Sequence, residues 1–157
     1  PEVRIAVITA QIARAVTAAA TWVDGPIALA GHSAGGHLVA RLGMPGVLPD
    51  EVAARLQHIM PISPVSDLRP LLQTSMNADF RLDMAAAEAE SPALMSAPSV
   101  PVTIWVGGDE RPVFLDQARW LAEAWGAAQH VAKGRHNFDI IEALADPESA
   151  VMEQLLG

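Results

Sequence analysis

Four short apolar runs, separated by stretches of helical character, are the feature that most restricts how this chain can fold. We interpret them as buried strands, because each is too short for a buried helix and is bounded by turn residues. The strands are predicted near 26–31, 58–63, 101–107 and 128–133. Strands that alternate with helices form a parallel sheet covered by helices on both faces, so the predicted fold class is α/β. We expect the four strands to pair in chain order, with their carboxyl ends at one edge.

Helical periodicity fills most of the intervals between these strands. It predicts an alanine-rich helix over about 4–22, a helix over 34–44 and an amphipathic helix over 114–126. The last helix is expected to open with Asp146 as its N-cap and Pro147 at its first helical position.

Composition and charge limit the classes of protein to which the chain can belong. The segment from about 64 to 97 mixes prolines with short helical stretches, and we interpret it as a lid-like insertion in a single domain of residues 1–157. The net charge of −8 disfavours nucleic acids and anionic membranes as partners, because both attract basic surfaces. No apolar run is long enough to span a membrane. The sequence has no cysteine and starts with no signal peptide, which predicts a cytoplasmic protein.

Residues 31–35 read Gly-His-Ser-Ala-Gly, a G-x-S-x-G motif between a predicted strand and a predicted helix. In that context the serine lies on a sharp, strained turn that exposes its hydroxyl as a nucleophile. Ser33 is therefore the predicted nucleophile, and the backbone N–H of Ala34 is the predicted oxyanion donor. We expect Gly31 and Gly35 to be glycines because a side chain at either would collide with the turn. The structural alternative is that Ser33 only caps the following helix.

A serine nucleophile needs a base, and in this fold the order along the chain is serine, acid, histidine. His136 lies just after the fourth strand, where a loop could bring it over Ser33, and it is the predicted base. The other four histidines are disfavoured by their positions: His32, His37, His58 and His130.

The acid should follow the third strand, where the sequence offers Asp109 and Glu110. One of the two would orient the His136 imidazole and stabilise its cation. A solvated acidic turn is the structural alternative, and the residues alone leave the choice open.

Five segments together resemble one family over nearly the whole chain: "GHSAGGHL", "PISPVSDLRPLLQTSMN", "ESP", "VGGDERPVFLDQ" and "HNFDIIEALADPES". They are similar to the α/β-hydrolase arylformamidases (kynurenine formamidases) and their close esterase relatives. The resemblance implies the α/β-hydrolase fold. It also implies that the acid lies two residues before the proline of its loop. Pro112 then points to Glu110, and Asp109 is the fallback acid.

The resemblance covers only the C-terminal part of such an enzyme. The family's upstream His-Gly-Gly-x-Trp motif, which supplies a second oxyanion donor, is absent, and so are the early strands that carry it. We therefore expect the missing N-terminal segment of the same fold to be a partner that covers the free edge of the nucleophile strand. The 157-residue chain alone is expected to be inactive. A homo-oligomer is also left open.

The resulting hypothesis is a serine hydrolase that needs no metal and no cofactor and cleaves a small carboxylic ester or an aryl formamide. His32, Leu71 and Asn77 are candidate pocket residues, and packing of the lid-like insertion is the alternative for the segment 68–77. Two other classes remain: a non-catalytic binding domain that keeps the fold, and an acyltransferase that uses an acceptor other than water.

Overall fold

The computed structural model describes residues 3–157 and contains one parallel sheet. Its strands are β1 (Ile27–His32), β2 (Leu56–Ile62), β3 (Thr103–Gly107) and β4 (Ala128–Ala132). They lie in the order β1-β2-β3-β4, and every neighbouring pair is parallel. The predicted α/β class and the predicted strand order are both confirmed.

Seven α-helices and three 3₁₀ turns connect or flank the strands of the described chain. The α-helices are α1 (Ile5–Ala20), α2 (Ala34–Leu42), α3 (Asp50–Ala53), α4 (Asn77–Phe80), α5 (Met84–Ala89), α6 (Pro112–Trp125) and α7 (Ala150–Leu156). The 3₁₀ turns are Arg69–Gln73, Pro92–Leu94 and Ile140–Ala145. Among the described residues, none of the helices has both the length and the apolar character needed to cross a bilayer.

The core has a layer on each face of the sheet, because successive strand residues point to opposite faces. Leu29 of β1 and Ile59 of β2 pack with α1 and α2 on one face. The helix α6 covers β3 on the same face. Met60 and Ile62 of β2 point to the other face, where they meet Val151 of α7. Helices therefore pack on both faces of the sheet, as predicted, while Ala28 and Ala30 of β1 on the second face are exposed.

The segment 64–97 contains no strand and folds into short helical turns. Leu68, Leu82 and Ala87 form a small core of their own within it. Its interpretation as a lid over the site stays a prediction.

The last helix begins later than predicted. Its N-cap is Ser149, whose hydroxyl accepts the Met152 N–H at 3.3 Å, and not Asp146. Asp146 instead accepts the N–H of Glu148 at 3.0 Å in the preceding turn, and Pro147 lies in that turn. Both residue types are good caps, and the Ser149 hydroxyl gains a further bond to the Ala143 carbonyl at 2.6 Å.

Candidate active site

Ser33 sits on a strained turn between β1 and α2. Its backbone has φ 55° and ψ −115°, a conformation that residues with a side chain rarely adopt and that costs about 1–3 kcal/mol. Its N–H donates to the carbonyl of Ile62 at 2.8 Å, which ties the turn to the neighbouring strand. The Ser33 hydroxyl makes no capping bond to α2, so the capping alternative does not account for this serine. The strand–turn–helix context predicted for a nucleophile is present.

Only one of the two steric expectations for the motif glycines is correct. A side chain at Gly31 would overlap the carbonyl of Gly35. A side chain at Gly35, however, would meet nothing within 4 Å among the described residues, so the prediction for Gly35 is wrong. The second close approach is at Gly36, where an added Cβ would lie 3.0 Å from Pro64 Cα and 3.1 Å from Ile62 O. The difference arises because Gly36 faces the end of β2, whereas Gly35 faces open space.

Ala34 is the first residue of α2 and is exposed, so its N–H lies at the N-terminal end of a nine-residue helix. The first N–H groups of a helix lack partners within the helix and favour negative charge. This position suits an oxyanion donor, and the role of Ala34 stays a prediction.

Glu110 and Asp109 lie in opposite environments. Glu110 is 7% exposed. Its Oε1 accepts the hydroxyl of Ser63 and the N–H of Gly107, the latter at 2.8 Å, and its Oε2 accepts the Asn137 amide at 3.0 Å. Asp109 is exposed, and its backbone N–H donates to the carbonyl of Arg135, in the loop after β4, at 2.9 Å. The buried and fully bonded carboxylate is that of Glu110, the residue selected by the register of Pro112.

The His136 ring is held by its own loop. Its Nδ1 accepts the Phe138 N–H at 3.1 Å, and its Nε2 lies 3.4 Å from an oxygen of Asp139. The side chain is 54% exposed, and no hydrogen bond joins it to Ser33 or Glu110 within residues 3–157. His136 is nevertheless linked to Glu110 through the next residue, Asn137, whose side-chain amide donates to the Glu110 carboxylate. The triad roles of Ser33, Glu110 and His136 therefore stay predictions.

Asp139 is a partner of His136 that the sequence analysis missed. Its Oδ1 also accepts the His136 backbone N–H at 2.7 Å, so it organises the loop as well as the ring. The spacing of three residues in "HNFD" is the signal that could have indicated it.

The candidate pocket residues have different surroundings. Nε2 of His32 is buried and has no hydrogen-bond partner among the described residues. Leu71 packs against the small core of the segment 64–97. Both polar atoms of the Asn77 side chain bond the backbone of Leu82, at 2.8 and 3.1 Å. Asn77 therefore bridges two parts of its own segment.

Gln117 of α6 is buried and anchors the chain that follows β2. Its Oε1 accepts the N–H groups of Ser66 and Asp67, both at 2.7 Å, and its amide donates to the Asp67 carbonyl at 2.9 Å. Burial tends to raise the pKa of the Asp67 carboxyl, but its bonds to Arg69 outweigh burial and lower that pKa. The glutamine of the "PVFLDQ" motif thus holds the first turn of the segment 64–97.

A second polar cluster lies under α2. Arg41 makes a two-pronged bond to Glu90 at 3.1 Å, and Thr9 of α1 donates to the same carboxylate at 3.1 Å. Burial lowers the pKa of His37, whose Nε2 bonds the Glu90 carbonyl at 2.7 Å. The cluster ties α1, α2 and α5 together. In the described chain, no group of three or more His, Asp or Glu side chains is placed to hold a metal ion.

The known proteins to which this chain is similar are hydrolases. No protein-family model matches the chain. It is 29% identical over 140 residues to a kynurenine formamidase of Danio rerio, covering 82% of this chain and 47% of that protein. A crystal structure from Silicibacter sp. TM1040, of a candidate thioesterase, is 59% identical with a TM-score of 0.98, over 100% of this chain and 60% of that one. The chain spans about half the length of the curated relatives it matches.

A more distant structure supports the fold alone. A fungal esterase from Rhizomucor miehei is 16% identical, with a TM-score of 0.64 over 99% of this chain and 61% of that one. The expected resemblance to α/β-hydrolase arylformamidases and esterases is confirmed.

Proposed function

Since the chain is an α/β-hydrolase that resembles kynurenine formamidases and esterases, we propose that it is a serine hydrolase of small carboxylic esters or aryl formamides. The observation that carries the proposal is Ser33, whose strained backbone holds an uncapped hydroxyl at the carboxyl edge of the sheet. A non-glycine residue in such a conformation persists only where the surrounding structure imposes it, and such residues cluster at active sites.

The reaction would proceed in two halves. Oγ of Ser33 attacks the carbonyl carbon, and its proton passes to Nε2 of His136. The negative charge that forms on the carbonyl oxygen is stabilised by the Ala34 N–H. The intermediate then expels the alcohol or amine, which takes the proton from His136, and leaves an acyl- or formyl-serine. Water attacks this ester with His136 again as base, releasing the acid and restoring the serine.

The proposed reaction requires His136 to turn from its bonds with Phe138 and Asp139. Its Nδ1 would then donate to the Glu110 carboxylate, and its Nε2 would face Ser33. Asn137 supports this proposal, because its bond to Glu110 keeps the loop of the base beside the acid.

We also propose that a further segment of the same fold covers the free edge of β1 and supplies the second oxyanion donor. In the described chain β1 pairs with β2 alone, so its other edge bears unpaired backbone groups. Unpaired strand edges invite association, so a partner strand is expected there. The loss of one oxyanion donor typically lowers kcat by about 10²–10³-fold.

Thioesters are a second candidate substrate class. The observation that favours them is the 59% identity to the candidate thioesterase. The same nucleophile and base would serve, with a thiol in place of the alcohol as leaving group.

The test is labelling of the full-length protein with a fluorophosphonate, followed by kinetics with p-nitrophenyl acetate, formanilide and an acetyl thioester. Ser33→Ala should abolish the label and lower turnover by about 10⁴-fold or more, because the triad acts as a unit. Ser99→Ala, which changes an exposed loop serine, is the matched control and should retain both. A wild-type protein that takes up no label would support the binding-domain alternative. Ester products formed with added alcohols would support the acyltransferase.

A further inference from the structure

A second serine with an unusual backbone lies beside the predicted acid. Ser63 directly follows β2, is fully buried and has φ 47°. Its hydroxyl donates to Oε1 of Glu110, and its N–H donates to the carbonyl of Trp105 at 2.7 Å. The serine is thus fixed to β3 through its backbone while its side chain holds the carboxylate.

The backbone conformation of Ser63 is one that its local sequence disfavours. The next residue is Pro64, and a residue before proline favours extended backbone with negative φ. A positive φ in a serine costs free energy that the surrounding contacts must offset. Strain of this kind points to a requirement at this position beyond packing.

The carboxylate that Ser63 holds is surrounded by neutral donors. The three donors are the Ser63 hydroxyl, the Gly107 N–H and the Asn137 amide. No Lys, Arg or His nitrogen forms an ion pair with Glu110 in the described residues. A buried carboxylate keeps its place through such hydrogen bonds, because burial without them is costly.

The space around the carboxylate is also closed. An added Cβ on Gly107 would lie 3.1 Å from Oε1 of Glu110 and would overlap the carbonyl of Arg135. Oε1 therefore has two donors, the side-chain hydroxyl of Ser63 directly after β2 and the backbone N–H of Gly107 at the end of β3. Oε2, the oxygen bonded by Asn137, faces the loop that carries His136.

We propose that Ser63 is a positioning residue that fixes the Glu110 carboxylate so that Oε2 is presented to His136. The proposal rests on the proposed function, since it assigns Ser63 a part in the same reaction. Ser63 itself touches no substrate. Its effect is on the geometry of the acid and, through the acid, on the orientation of the imidazole.

Two substitutions in the full-length protein separate this role from a structural one. Ser63→Ala and Ser63→Gly both remove the hydroxyl, but glycine accepts a positive φ without strain, whereas alanine does not. We expect both to lower kcat for p-nitrophenyl acetate by about 10–100-fold, the scale of a misplaced catalytic group, with little change in KM. The rate of fluorophosphonate labelling at Ser33 should fall in parallel. The melting temperature should be higher for Ser63→Gly than for Ser63→Ala.

The matched control is Ser91→Ala. Ser91 is also fully buried, and its hydroxyl donates to the Ala87 carbonyl at 2.6 Å and accepts the Leu68 N–H at 2.8 Å. It does not contact Glu110, so this variant should lose stability while the folded protein keeps its kcat.

The outcomes distinguish the two proposals. A Ser63→Ala or Ser63→Gly enzyme that labels and turns over like wild type overturns the positioning role and leaves the serine hydrolase standing. If kcat follows the melting temperature, so that Ser63→Gly has the kcat of wild type while Ser63→Ala does not, the positioning role is also overturned, and Ser63 has a structural role. If Ser63→Ala does not fold, the kcat and the labelling rate of Ser63→Gly test the positioning role. A wild-type protein without label at Ser33 overturns both proposals.

Discussion

Glu110 and Asp109 offer a matched pair of substitutions, because two neighbouring carboxylates lie in opposite environments. Glu110→Gln keeps the shape of the side chain and one oxygen, which can still accept the Gly107 N–H. That oxygen can also accept the hydroxyl of Ser63, and the new amide then takes the place of Oε2, where it can donate to the Asn137 side-chain oxygen once the Asn137 amide flips. We therefore expect Glu110→Gln to fold, with a loss of about 1.5–3 kcal/mol from its weaker hydrogen bonds.

The expected loss of activity is larger than the loss of stability. When the acid of a serine triad is replaced by its amide, kcat falls by about 10⁴-fold, because the imidazole is held in the wrong tautomer. For Glu110→Gln this is about 5.5 kcal/mol in activation free energy. Asp109→Asn should keep kcat close to wild type, since the side chain is exposed and its backbone bond is unchanged.

The assay is kcat and KM with p-nitrophenyl acetate for both variants of the full-length protein, with thermal unfolding measured on the same samples. A loss of activity confined to Glu110→Gln, in a folded protein, would support Glu110 as the acid. If Asp109→Asn loses as much kcat as Glu110→Gln, or if Glu110→Gln keeps about a tenth of the wild-type kcat, the reasoning from burial and hydrogen bonding is wrong.

Three further predictions concern the core around the site. Glu90→Gln should lower the free energy of unfolding in urea by about 3–5 kcal/mol, because it leaves the buried Arg41 guanidinium without its charged partner. Glu123→Gln, in an exposed ion pair, should change the free energy of unfolding by less than about 1 kcal/mol. Equal losses of stability in Glu90→Gln and Glu123→Gln would contradict the prediction. Burial lowers the pKa of His37 below its ordinary value of 6.5, so the folded protein binds a proton there less readily than the unfolded chain does. The free energy of unfolding therefore keeps its full value above pH 6.5 and falls as the pH drops below it. His37→Gln should remove up to about 1.4 kcal/mol per pH unit from the slope of unfolding free energy against pH, and an unchanged slope would refute this. Gly31→Ala should prevent folding, because its Cβ would overlap a backbone carbonyl, and a wild-type melting temperature would exclude that overlap.

The sheet was predictable because apolar runs and helical periodicity alternate along the chain. The strand bounds agree within one or two residues with those predicted. The largest differences are at the first residues of β2 and β3. β2 begins at Leu56 and not at His58, because Leu56 pairs with Ile27 of β1. Strand pairing of this kind depends on the partner strand, which the local sequence does not specify.

The details of the site were less predictable because they depend on contacts between distant segments. The positive φ of Ser63 is opposed by the proline that follows it, so no local rule indicates it. The close approach at Gly36 and not Gly35 depends on where the end of β2 lies. The bonds of His136 to its own loop follow from the fold of that loop after β4, which periodicity does not describe.

The end of β2 has a consequence for how such a protein can change over evolutionary time. The Ile62 carbonyl holds the Ser33 turn, and the next residue, Ser63, holds Glu110, so one strand end supports both the predicted nucleophile and the predicted acid. The segment 64–97 leaves the sheet immediately afterwards and has its own small core. On the predicted lid role of that segment, insertions and substitutions in it would alter which molecules are admitted without displacing Ser33 or Glu110. Selectivity and chemistry would then diversify separately, with the boundary between them at the peptide bond that joins Ser63 to Pro64.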